Sequence, residues 1–113
     1  MLNDEYRYRI LKLLAADPQA SQRRIADELG ISLGRANYCL KALVDRGLVK
    51  VNNFRNSANK RAYIYLLTPS GIEEKTKVTL RFLKMKLDED ENLEREVAQL
   101  RREADELGDN ENA

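Results

Sequence analysis

The sequence predicts a mainly α fold with a small β-hairpin, continued by one long C-terminal helix. Three observations predict it. Residues 3–47 hold three helical patterns, each with its own start and stop signal. After Gly47 the pattern changes to two short β-prone runs, and from Ile72 to Leu107 no Pro or Gly interrupts a helical pattern of 36 residues. At 113 residues the chain is one domain's worth of sequence. The expected division is a compact domain over 1–69, a long helix over 70–107 and a frayed tail, GDNENA, over 108–113.

Asn3 can cap the first helix, in which Tyr6, Ile10, Leu13 and Leu14 recur at i, i+4, i+7 and i+8, and Pro18 ends it. Ser21 caps a second helix, where Ile25 and Leu29 share a face, Arg23, Arg24, Asp27 and Glu28 point away, and Gly30 is the stop. Ser32 caps a third helix after only Gly30 and Ile31, with Ala36, Leu40, Leu43 and Val44 spaced for burial until Gly47. Two helices joined by a tight glycine-containing turn form a helix-turn-helix. The outward face of the third helix holds Leu33, Gly34, Arg35, Asn37, Tyr38 and Lys41: three donors, an aromatic and no acid.

The runs Leu48 to Phe54 and Ala62 to Leu67 flank the polar stretch Arg55 to Arg61, which predicts a hairpin with Arg55, Lys60 and Arg61 near its tip. Its second strand, AYIYLL, is apolar at both parities, so the three helices are expected to cover one face and the following helix, or a partner, the other. Thr68, Pro69 and Ser70 start the last helix, with Pro where its missing N–H is harmless. A helical pattern this long suggests a coiled coil. Its heptad seam runs through Ile72, Thr76, Thr79, Leu83, Lys86, Asp90, Leu93, Val97, Leu100, Ala104 and Leu107, and so contains one Lys and one Asp.

Charged residues make up 35% of the chain, against about 25% in an average soluble domain, so part of it must be a solvated, charged helix. There is no histidine and one cysteine, Cys39, which rules out a Cys/His metal site within one chain, a histidine general base and an internal disulfide. The start of the chain lacks the apolar run of a signal peptide, and no stretch approaches the roughly 18 apolar residues of a membrane span. A cytoplasmic, non-enzymatic protein without cofactor is expected. The net charge of +1 hides an asymmetry: residues 1–87 hold 17 Lys+Arg against 8 Asp+Glu, and residues 88–113 hold 3 against 11. Such a split points to a polyanion-binding body with an acidic extension.

Three helices followed by a basic hairpin is the layout of a winged helix. The third helix fits a DNA major groove about 12 Å wide, where Arg35 and Asn37 are the candidate readers of guanine and adenine edges. Tyr38 and Lys41, further along the same face, are expected at the DNA backbone or at thymine methyls. Gly34 lets the helix start, at Ser32, approach a phosphate closely, and Ser21 and Gln22 open the second helix, whose terminal amides are also placed to hold one. Arg55, Lys60 and Arg61 reach the neighbouring minor groove or its phosphates. Cys39 is expected to fill space. The expected partners are double-stranded DNA and a second copy joined through the long helix, with no small-molecule effector. The alternative is a winged helix that serves as an interaction or adaptor module and does not read DNA.

The segments SQRRIADELGISLGRANYCLKALVDRGLVKV and NKRAYIYLLTPSG resemble the MarR-type winged helix, with its GLV strand start, its wing D-R-R triplet and its L-T-x-x-G helix entry. The resemblance covers residues 5 to about 75. With its LNDEYRYRILKLL start and short length, the whole chain looks most like the MarR family regulators associated with exopolysaccharide gene clusters. The resemblance puts the wing triplet on Asn59, Lys60 and Arg61, so both cations are kept and Asn stands where the family has Asp. It also implies an extra N-terminal helix and two C-terminal helices sheltering an effector pocket. This sequence has one long helix in their place, so phenolic-ligand binding is not carried over.

Overall fold

A computed structural model describes residues 3–55 and 61–111. Three helices, α1 (Asp4–Ala16), α2 (Gln22–Leu29) and α3 (Leu33–Asp45), are followed by β1 (Val49–Arg55), β2 (Arg61–Leu67) and α4 (Pro69–Glu111). The strands form an antiparallel hairpin in register from Val49↔Leu67 to Arg55↔Arg61. This is a winged helix-turn-helix followed by a long C-terminal helix.

Each helix starts where a side chain satisfies an orphan amide. Asn3 Oδ1 accepts from the Tyr6 amide at 2.8 Å, Ser21 Oγ from Arg24 at 3.1 Å and Ser32 Oγ from Arg35 at 3.1 Å. Gly30 ends α2 at φ +66°, a left-handed conformation in which its N–H reaches the carbonyls of Ala26 and Asp27.

The core joins Ile10, Leu11 and Leu14 of α1, Ile25, Ala26 and Leu29 of α2, and Ala36, Cys39, Leu40 and Leu43 of α3 to Leu48, Val49, Tyr65 and Val78. Leu11 is fully buried where the spacing favoured Leu13, which is half-buried, as is Val44. The reason is tertiary: α1 packs on both α2 and β2, so its buried stripe is wider than a single-face pattern. On the hairpin, Tyr65 is buried, and its amide donates to the Pro18 carbonyl at 3.0 Å, tying β2 to the loop after α1. The following helix does not cover the other face at Leu66, which is 38% exposed beside exposed Lys50, its cross-strand neighbour.

The two ends of the hairpin meet at one junction. Thr68 donates its hydroxyl to the Gly47 carbonyl at 2.6 Å and its amide to the Leu48 carbonyl at 3.1 Å, while Thr68 Oγ1 accepts from the Gly71 amide at 3.0 Å and so caps α4. Gly71 is buried, and a Cβ there would lie 2.0 Å from the Leu48 carbonyl oxygen. Only a glycine lets α4 start this close to the strand.

The chain divides into two compact units, Met1–Phe82 and Leu83–Ala113. The first takes in more of α4 than a boundary at 69 allows, because this stretch packs with the helices. Val78 is fully buried and Phe82 stacks on Tyr8 with ring centroids 4.9 Å apart. Glu74 accepts from Arg7 and from Arg81, both at 3.2 Å, and Arg81 grips both carboxylate oxygens of Asp4 at 3.2 Å. The hydrogen bonds from Arg81 hold the Asp4 carboxyl below its usual range. The second unit is helical, with exposed i,i+3 and i,i+4 ion pairs such as Lys86–Glu89 at 3.2 Å and Arg95–Glu91 at 3.5 Å.

Gly108 does not end α4. The expected tail over 108–113 is corrected: the helix continues to Glu111, and residues 112 and 113 lie outside the described residues. One glycine inside a helix costs about 1 kcal/mol, and Gly108 lacks the positive φ that a left-handed stop requires.

Gly71→Ala is expected to lower stability by about 1–3 kcal/mol, because the contacted atom is backbone and has no rotamer to escape into. Gly108→Ala, with open space at its Cβ, raises helix propensity and should leave stability equal or slightly higher. Paired urea denaturation curves of the two variants check the opposite signs.

Candidate nucleic-acid interface

The buried stripe of α3, Ala36, Cys39, Leu40 and Leu43, turns the opposite face outward. Leu33, Gly34, Arg35, Asn37, Tyr38 and Lys41 are all exposed there, and Tyr38 keeps 60% of its surface in solvent. The Arg35 guanidinium lies 5.8 Å from the centroid of the Tyr6 ring, a cation–π placement that draws it toward the start of α1.

Gln22 joins two helices to the hairpin. Its Nε2 donates to Asn37 Oδ1 at 3.3 Å and to the Tyr65 hydroxyl at 3.0 Å, so its side chain braces Asn37 while the backbone amides at the start of α2, the group expected at a phosphate, are not involved in these bonds. Asn37 retains its amide donors and a second lone pair on Oδ1, the set an adenine edge requires. Ser21 and Ser32 accept their capping bonds and each still has an O–H to donate. Gly34 has a negative φ, and a Cβ there would meet nothing within 4 Å, so the fold itself imposes no glycine at the start of α3.

Two open clefts flank Gln22. One is lined by Gln19, Ser21, Arg23, Leu33 and the two tyrosines of β2, the other by Asn37, Lys41, Val44, Val51 and the same tyrosines. Tyr63, 53% exposed and stacked beside Tyr65 with centroids 6.4 Å apart, therefore belongs to this surface. Sequence reasoning missed it and Arg23. The period-2 alternation of AYIYLL, which puts Tyr63 on the same strand face as buried Tyr65, was the signal for the first. Of the wing cations, Lys60 lies outside the described residues, and Arg55 and Arg61 are described only by their backbone pairing with each other.

The cations sort by position. Arg7, Arg9, Arg24 and Arg81 form ion pairs with Glu74, Glu5, Asp17 and Asp4, respectively. Among the described residues, Arg23, Arg35 and Lys41 form none. The α2–α3 surface thus keeps Arg23, Arg35 and Lys41 without a carboxylate, and the same holds for Lys12, Arg46, Lys50, Lys75 and Lys84 elsewhere on the chain. Cys39 is buried, and burial pushes its thiol up, away from the reactive thiolate. No group of His, Cys, Asp and Glu among the described residues is able to hold a metal ion, and no helix there is long and apolar enough to cross a membrane. On α4 every position of the heptad seam, from Ile72 through Thr76, Thr79, Leu83, Lys86, Asp90, Leu93, Val97 and Leu100 to Ala104, is exposed.

Residues 3–50 match a family described as winged helix-turn-helix DNA-binding. No curated protein gives a significant match. Among solved structures, the PcaV transcriptional regulator from Streptomyces coelicolor is similar at 23% identity over 71% of this chain and 55% of that one, with a TM-score of 0.58. A transcriptional regulator homologue from Pyrococcus horikoshii is similar at 25% identity over 74% and 81%, with a TM-score of 0.57. MarR from Staphylococcus aureus, solved with salicylate and kanamycin, is similar at 26% identity over 73% and 53%, with a TM-score of 0.53. The chain spans about half the length of PcaV and of MarR. The chain thus has a winged helix-turn-helix whose residues 3–50 are similar to a family described as DNA-binding, and these three solved structures are of transcriptional regulators.

Proposed function

We propose that this chain is a cytoplasmic, non-catalytic transcriptional regulator that occupies a duplex DNA operator as a homodimer. The observation that carries the reading is the exposed face of α3 from Leu33 to Lys41, which has no acid and presents Arg35, Asn37 and Lys41, with Arg23 of α2 nearby and none of these cations in an ion pair. An adaptor domain has no reason to keep this face positive and open. Arg35 and Asn37 read bases, with Gln22 as the brace of Asn37. Ser21, Ser32, Lys41 and the wing residues Arg55, Lys60 and Arg61 hold the backbone, Gly34 admits a phosphate at the start of α3, and Tyr38 and Tyr63 supply apolar contact at the groove edges. The exposed seam from Ile72 to Ala104 supports pairing with a second copy. Exopolysaccharide genes as the target rest on the sequence resemblance alone, and genes of that kind beside this one are the observation to seek. The salicylate in the MarR complex belongs to that protein, and no effector is proposed here.

Binding to random duplex DNA should weaken steeply with salt, since the logarithm of affinity falls with a slope near −0.9 per phosphate contacted. Lys41→Ala should flatten that slope by about one unit and weaken all sequences alike. A salt titration by fluorescence anisotropy checks both, and affinity independent of salt overturns the electrostatic reading. Selection of preferred sequences tests the readers: Arg35→Ala should relax one base position at a cost of about 1–3 kcal/mol. An unchanged motif from that variant removes Arg35 from the role. Gly34→Ala separates fold from function, since its melting point should hold or rise while its affinity for DNA falls.

A further inference from the structure

Helix α4 has two unlike faces. Near its start, Gly71 and Val78 are buried among the winged helix residues, while Ile72 and Leu80, on the opposite side, are 58% and 62% exposed. The exposed apolar row continues through Leu83, Leu87, Leu93, Leu100 and Leu107. Helix propensity alone holds an isolated helix of this kind weakly in water, and an apolar stripe at heptad spacing marks a face that another helix covers.

The helix is also polarised in charge. From Pro69 to Leu87 it has five Lys+Arg against two Asp+Glu, and from Asp88 to Glu111 three against eleven. Side by side in the same direction, two copies place eleven acids against eleven, with Lys86 on Lys86 and Asp90 on Asp90 inside the seam, an arrangement without compensating charge. Reversed, each basic half lies on an acidic half. We propose that α4 pairs with α4 of a second copy in antiparallel orientation about a two-fold axis at residue 88, which deepens the homodimeric reading above and rests on it.

The register follows from the seam. With the axis at 88, Leu83 meets Leu93, Thr79 meets Val97, Thr76 meets Leu100 and Ile72 meets Ala104. Lys86, whose ammonium already lies 3.2 Å from its own Glu89, adds the partner's Asp90, and its three donors serve both carboxylates. At the flanks Lys75 comes opposite Glu103, and Glu73 opposite Arg101.

Cysteine cross-linking tests the orientation, with buried Cys39 left in place, and light scattering on the unaltered protein reports the mass. Positions 83 and 93 are exposed, so neither substitution touches the core. Two Leu83→Cys chains place their cysteines about 15 Å apart in the antiparallel pair, beyond the Cα separation of about 4.4–6.8 Å that a disulfide spans. The expected result is a dimer mass, no cross-link from Leu83→Cys or Leu93→Cys alone under mild oxidation, and a cross-link when the two are mixed. Efficient cross-linking of Leu83→Cys alone overturns the orientation and leaves the homodimer standing. A monomer mass for the unaltered protein overturns the homodimeric reading itself.

Discussion

Thr68 carries the connection on which the winged helix depends. It caps α4, hooks the Gly47 carbonyl and binds the Leu48 carbonyl, and three residues later Gly71 leaves the gap that lets α4 start against the strand. These contacts tie the end of the hairpin back to its beginning. With the hairpin's open end so closed, Tyr65 is brought under α2, where its hydroxyl receives Gln22. The GLV and L-T-x-x-G segments, far apart in the chain, are thus two halves of one joint. The carbonyl at Leu48 is the steric reason that glycine stands at position 71.

From that joint the surface of α3 acquires its order. Gln22 is held by Tyr65 and in turn holds Asn37, so the residue proposed as a reader on one helix is positioned by a strand well beyond it in sequence. The ion pairs serve the opposite side. Arg7 and Arg81 with Asp4 and Glu74 fasten the start of α4 to α1, consuming cations that a charge count alone adds to the DNA-binding total. Part of the basic excess in residues 1–87 is therefore structural, and the share left without a carboxylate is smaller.

The elements themselves were legible because their signals are local. Asn3, Ser21, Ser32 and Thr68 are side chains that bond amides three residues on, and Gly30 adopts a backbone conformation that other residues resist, so each boundary is written within a few positions. The exposed face of α3 was legible for the same reason, as the complement of a 3.6-residue stripe. The end of α4 was misread at Gly108, where a weak local preference yields to a long helix on its N-terminal side.

Tertiary structure decided what depends on partners distant in the chain. It buried Leu11 in preference to Leu13, because α1 is packed by both a helix and a strand. It made the Gln22 side chain a brace for Asn37, brought Tyr63 beside α3, and left Leu66 in solvent although its strand reads as apolar throughout. It also determined which arginines are spent on ion pairs. The sequence by itself determined the order of helices and strands, the acid-free face and the heptad stripe, since spacing along one chain suffices for each; packing between segments assigned the side chains their neighbours, since a neighbour's identity is not encoded in local periodicity.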